Sequence, residues 1–309
     1  MTRCTWRRRK RGQYESMFIG RLLLIGLPAA VALGGVAVLA ARSQRKRRAD
    51  GLRGRLLRNA RDPEPDAPGA ELPEPVRRYL EYALPPGTPP IRTASLRQAG
   101  TFRLGGIGSG WKPLEATQSF SSSPPAFVWE ARIRMAPALA IQVVDSYLGG
   151  EGAIHATAAS LIPIVDRKGA SELNSGALMR FLAEAVWIPT RLRPGDGLSW
   201  QPMDQRRARA ILEDGPNRVE LEFTFGDDGR IETIFAPGRF RDVDGIGVPT
   251  PWICRLGMWA SVHGFRVPLE GEVAWLLPEG ALVYWRGRIS EIRFQLASDY
   301  GASSGPGSR

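Results

Sequence analysis

Cysteine and histidine are nearly absent from this chain, with two of each in 309 residues, and the shortage excludes a good deal of chemistry. Cys4 and Cys254 lie on either side of a long apolar run, so a disulfide framework is not expected. Cys254, between Ile253 and Arg255 and near Trp252, reads as a small buried hydrophobe. His155 and His263 belong to no pair with metal-ligand spacing and have no clustered cysteines beside them, which argues against zinc. His263, next to Gly264, reads as a turn residue. No G-x-S-x-G elbow is present: Ser109 has Ile107 where the first glycine should stand. The glycine cluster Gly105-Gly106-Ile107-Gly108-Ser109-Gly110 fails the dinucleotide spacing, because Trp111 occupies the third glycine position and no helix follows. A hairpin loop accounts for it better. There is no phosphate loop, and no cofactor or metal is implied.

Basic surplus is also missing from most of the chain. The formal charge is +11, yet 16 of the 42 Lys and Arg and only two of the 31 acids fall in residues 1–61, which carry +14. The remaining 26 basic and 29 acidic residues give 62–309 a net −3, so the folded part has no excess to neutralise phosphates and nucleic acid is not expected as a partner. The charge instead brackets the one long apolar run, Leu22–Ala41, preceded by Arg7-Arg8-Arg9-Lys10-Arg11 and followed by Arg42 and Arg45-Lys46-Arg47-Arg48. At roughly 1.5 Å per residue a helix over this run measures about 30 Å, the hydrocarbon thickness of a bilayer. The run is longer than the apolar core of a signal peptide and positive charge follows it at once, so an uncleaved single-pass anchor is expected. Membrane lipids would be partners through the anchor and its basic flanks. The flanks are nearly balanced and do not choose the side on which the domain lies.

The expected organisation is a basic tail (1–21), a transmembrane helix (22–41), a basic and then proline-rich linker (42–71), a domain (72–297) and a disordered tail (298–309). Asp62-Pro63-Glu64-Pro65-Asp66-Ala67-Pro68-Gly69 has no apolar period and reads as extended. Pro73 and Pro75 open a short helix with Val76, Tyr79, Leu80 and Ala83 on one face. Beyond it the dominant period is two: Phe127, Trp129, Ala131, Ile133 and Met135 alternate with polar neighbours, as do Val219, Leu221, Phe223 and Phe225. Strands are also expected at 94–104, 114–121, 138–147, 152–165, 207–213, 231–235, 255–263, 271–277, 281–286 and 288–296. One internal helix is expected over 174–186, with Leu178, Phe181, Leu182 and Ala185 as its stripe and Pro189 as its stop. The fold class is mainly β (α+β): a strongly curved antiparallel sheet or half-barrel of about ten strands, wrapped on one central helix.

Two constellations carry candidate chemistry. Leu139, Ile141 and Val143 define an apolar strand face that Asp145 and Tyr147 continue. A carboxylate on such a face is costly to bury unless paired and often marks a polar spot in a pocket. On the helix, Arg180, Glu184 and Trp187 share a side at i, i+4 and i+7, opposite the stripe. That arrangement fits a surface ion pair or the wall of a cavity. Eight tryptophans after residue 100, Trp129 among them, suit a thick core or a greasy groove.

Several strings resemble one known family. They include Leu72-Pro73-Glu74-Pro75-Val76, Gln98-Ala99-Gly100-Thr101-Phe102, Trp111-Lys112-Pro113, Asp145-Ser146-Tyr147 with Gly150-Glu151-Gly152, Arg180-Phe181-Leu182-Ala183-Glu184, and Tyr284-Trp285-Arg286-Gly287. Together they resemble an uncharacterised bacterial domain-of-unknown-function family of membrane-tethered proteins over about 72–296. The resemblance implies no activity; it places both constellations within characteristic motifs. By fold-level analogy the curved sheet is similar to the lipoprotein-localisation-factor type, whose concave face holds acyl chains.

The leading expectation is a membrane-anchored domain, leaning away from catalysis, that binds a hydrophobic or lipid-like ligand in the concave face. Its candidate binding residues are Trp129, Asp145, Tyr147, Arg180, Glu184 and Trp187. One alternative is an enzyme using Asp145 or Glu184 as acid/base; another is a scaffold for a second membrane protein.

Overall fold

Among the described residues, alternation produces thirteen strands rather than about ten. The computed structural model describes residue 36 and residues 38–64, 71–137 and 139–297. The first half is a meander of β1 (Ile91–Arg103), β2 (Trp111–Ser121), β3 (Ala126–Ala136), β4 (Leu139–Leu148), β5 (Glu151–Ala158) and β6 (Ile162–Lys168). The second is β7 (Leu198–Pro202), β8 (Arg207–Asp214), β9 (Asn217–Phe225), β10 (Ile231–Val243), β11 (Ile246–Val262), β12 (Phe265–Leu277) and β13 (Gly280–Leu296). The glycine cluster forms the β1–β2 loop, and His263 sits in the β11–β12 turn with φ 51°.

Three strand expectations are corrected. The run 152–165 is two strands, because Ala159 and Ser160 take positive φ and turn the chain between β5 and β6. Residues 281–286 and 288–296 are one strand, β13, since Gly287 between them stays paired with Gly271 on β12 and Gly100 on β1. The short β7 was not expected; with five residues it offers little alternation to read.

All pairings are antiparallel, and the strand order is β6-β5-β4-β3-β2-β1-β13-β12-β11-β10-β9-β8-β7. The two meanders therefore join at a seam where β1 pairs with β13, and β6 and β7 remain as edges of an unclosed sheet. Between the meanders runs the helix α3 (Ser171–Glu184), followed by 3-10 turns at Ala185–Trp187 and Pro189–Leu192. It touches β4 and β5 on one side and β9 and β10 on the other. In a flat sheet β4 and β10 would stand about 34 Å apart at a strand spacing of about 4.8 Å. A helix roughly 10–12 Å across meets both only because the sheet bends around it. Gly176, Ala177, Leu178, Phe181, Leu182 and Ala183 are all buried, so α3 is apolar around much of its girth, as a helix lodged in a trough must be. The helix begins and ends close to the expected bounds.

A second helix, α2 (Glu74–Ala83), lies along another part of the inner surface, against β8, β9 and β12. Val76, Tyr79 and Ala83 are buried as its spacing predicts, and Tyr79 meets the rings of Phe225 and Trp259.

In the N-terminal region only the linker can be compared with expectation. Most of the apolar run 22–41 lies outside the described residues, and among the described residues no helix is long and apolar enough to cross a membrane. The linker assigned to 42–71 is helical over 42–59. Residues 38–48 are helical; residues 49–59, here α1, belong to the same compact unit as the sheet. Ala49, Leu52 and Leu56 pack on Ala126, Val128, Val144 and Leu148, which point away from the trough on β3 and β4. Arg53 fixes the helix by donating to Thr117 at 2.8 Å and to Glu130 at 3.2 Å. The basic residues that disguise α1 as a flank leave room for one apolar stripe at i, i+3 and i+7.

Candidate functional site

Period two carries Asp145 inward. It lies in the middle of β4, not at a strand end, and faces α3. There Arg180 Nη1 meets Asp145 Oδ2 at 2.7 Å, while Arg180 Nε donates to Glu184 Oε1 at 2.9 Å. The three side chains are only 15–17 % exposed, so this is an interior ion triad rather than a surface pair. A relay extends from it across the inner face: Gln118 Nε2 donates to Glu184 Oε2 at 2.6 Å, Gln98 to Gln118 at 3.0 Å, and the Trp129 indole to Gln98 at 2.9 Å. The guanidinium of Arg180 sits 4.7 Å from the Trp129 ring centroid and 5.0 Å from that of Phe127.

Burial works against the charge of Arg180, but Glu184 and Asp145 outweigh it and hold the guanidinium firmly protonated. Burial likewise pushes the Glu184 carboxyl up, against the opposing pull of Arg180 and Gln118.

The triad borders a cavity of about 350 Å³ between α3 and the inner sheet face. Ile133, Ile141, Val143, Ile154 and Val165 line one wall, and Trp129, Trp187, Trp252 and Trp285 contribute their indoles. Polar groups are few: the triad, Arg239, Tyr284, Cys254, and the pair of Arg255 with Glu272. Trp187 is oriented by its indole N–H, which donates to the Pro268 carbonyl at 2.9 Å. Trp285 lies flat because Gly287, two residues on, has no side chain; a Cβ there would collide with the indole. Burial pushes the Cys254 thiol up, so it stays protonated and lines the wall as the small hydrophobe expected.

A model of the family of unknown function DUF6920 matches residues 70–294. The chain belongs to that family. No curated protein matches it. Among solved structures it is similar to a LolA superfamily protein from Nitrosomonas europaea, at 8 % identity and TM-score 0.35, covering 74 % of this chain and 96 % of that one. It is also similar to a beta-barrel-like protein of the domain of unknown function DUF1849 from Brucella abortus, at 10 % identity and TM-score 0.21, covering 67 % and 100 %.

Within this DUF6920 domain, five of the six candidate residues meet: Trp129, Asp145, Arg180, Glu184 and Trp187 all border the cavity. Tyr147 does not. It shares the inner face of β4 but sits one pleat further on, fully buried, where its hydroxyl donates to Asp214 at 2.7 Å and accepts from Asn217 at 3.1 Å. Arg239 and Tyr284 are among the lining residues absent from the sequence-based set. Strands β10 and β11 pair across an irregularity: Ala236 faces Trp252 and Arg239 faces Thr250, so β10 carries one extra residue at Pro237-Gly238. The bulge returns Arg239 to the inward face that Gly238 would otherwise occupy. Tyr284 is itself the extra residue of a bulge in β13, between Val283 opposite Ala274 and Trp285 opposite Val273. A Pro-Gly pair inside a strand is the signal that could have revealed Arg239.

Among the described residues no group of three or more His, Cys, Asp or Glu side chains is gathered as a metal ion would require.

Proposed function

We propose that this domain binds a hydrophobic or lipid-like small molecule in the cavity between α3 and the inner sheet face, and that residues 22–41 hold it at a membrane. The cavity carries the reading. Protein interiors pack with few voids larger than a water molecule. A space of about 350 Å³ walled by isoleucines, valines and four indoles is of the size and lining of a small-molecule site. Helix α3 is pinned across it through the Asp145–Arg180–Glu184 triad and the glutamine relay, which supports a preformed receptacle rather than a packing fault.

The acid/base alternative draws on the burial that pushes Glu184 up. Against it, both Glu184 oxygens are engaged, one by Arg180 and one by Gln118. That arrangement suits a strut more than a proton carrier. A scaffold for a second membrane protein needs an exposed apolar patch on the outer face; over β3 and β4 that face is covered by α1.

Uptake of a fluorescent fatty acid by the full chain tests the proposal, read by quenching of the cavity tryptophans. Ala156 borders the cavity and is 5 % exposed, so A156F fills the space and should abolish uptake while the protein stays folded. Equal uptake by A156F and the parent would sink the cavity as the binding site.

A further inference from the structure

The two cavity arginines are in opposite situations. Arg180 is compensated by two carboxylates. Arg239 has no carboxylate partner among the described residues: its Nε and Nη2 donate to the Gly176 carbonyl at 3.3 and 3.1 Å, and Nη1 reaches only the Tyr284 hydroxyl, at 3.4 Å. Its guanidinium is held over the rings of Trp252 and Trp275, 4.8 and 5.6 Å from their centroids, so it is fixed without being neutralised. Tyr284 is equally one-sided. Its oxygen accepts from the Trp252 indole at 2.9 Å as well as from Arg239, while its own proton has no acceptor among the described residues. Burial pushes this phenol up, although Arg239 pulls the other way, so the proton stays on at neutral pH.

A positioned guanidinium with no carboxylate partner among the described residues, beside a phenol O–H with an uncommitted proton, presents two donors to the cavity. Buried donors left unsatisfied are costly, which is a reason to expect a ligand acceptor there. Charge-assisted bonds from Arg to carboxylate or phosphate are the strong form of that contact.

We infer that the ligand is an amphiphile with one anionic head, a carboxylate or a phosphate, seated on Arg239 and the Tyr284 hydroxyl, with its apolar tail along the Ile133–Ile141–Ile154 wall. The inference rests on the cavity being the binding site. Trp252 then positions Tyr284 by fixing which lone pair of the phenol is used.

Calorimetric titration of the full chain in nanodiscs, with empty nanodiscs as blank, tests it using octanoate, octyl phosphate, octanol and octyltrimethylammonium. One or both anions should bind at least about tenfold more tightly than octanol, the scale of one hydrogen bond to a charged group. Whichever anion leads identifies the head. R239Q should remove that preference by weakening the anions at least about tenfold more than it weakens octanol, and Y284F should reduce it in part. R239K, which keeps the charge, should restore some of it. Octanol binding as tightly as both anions, or tightest binding of the ammonium probe, overturns the anionic head while leaving the cavity proposal standing. If no probe binds, both fall. The parent protein's own selectivity decides the question even where R239Q fails to fold.

Discussion

Glu184 is asked to be three things at once: an ion-pair partner, an acceptor from Gln118, and part of a dry wall. Burial pushes its carboxyl above the ordinary value near 4.5, so the folded chain holds that proton more tightly than the unfolded chain does. Stability from this source is complete below the unfolded value and is lost as pH rises through the folded one. E184Q has nothing to ionise. Its stability relative to the parent should therefore improve as pH rises from about 4 and level off once the folded carboxyl has ionised, in denaturant titrations. A parent that gains on E184Q across that range would show that Arg180 dominates burial. Asp145 and Trp129 could be found from sequence because β3 and β4 keep strict alternation through them. Arg239 and Tyr284 could not be found that way. Arg239 follows an extra residue and Tyr284 is one, so the inward parity shifts at both, and parity is the only thing alternation reports.

Helix α1 shows how composition can conceal an element. Residues 49–59 contain three arginines and lie against a run of like charge, so they read as a continuation of a basic flank. Yet Leu56, 1 % exposed, closes a second small core with Val128, Val144 and Leu148 on the outer side of β3 and β4. Both faces of those strands are thus buried, which is why Gln142, Val144, Ser146 and Leu148 are as inaccessible as the inward residues. L56A should cost about 2–4 kcal/mol by transfer and cavity terms, on the order of 10 °C in Tm, without altering uptake of the fluorescent fatty acid. A loss below about 0.5 kcal/mol would mean that α1 rests on the sheet without contributing to it. The expected central helix was easier to see, because its stripe and its proline stop both belong to it alone.

At the scale of the whole molecule, the curved sheet was legible as a class and its connectivity was not. Turn signals mark where strands end, but nothing local announces that β1 pairs with β13, close to two hundred residues away, or that the two meanders meet there. Charge partition is the one global property that is read directly: +14 in residues 1–61 against −3 beyond. Under the proposed membrane attachment it separates two modes with different responses to salt. Were the basic clusters alone responsible, salt of about 1 M, where the Debye length falls to about 3 Å, would release the chain from anionic membranes. An inserted apolar helix is indifferent to salt. The parent chain should therefore stay in the membrane fraction through a salt wash and leave it only with detergent. V31R combined with V36R places two charges in the apolar run, each costing about 2.5–3.5 kcal/mol at a helix centre, and should convert the protein to a salt-extractable form. Release of the parent by salt alone would reduce residues 22–41 to a hydrophobic segment that does not span, and would leave the basic flanks as the whole of the membrane attachment.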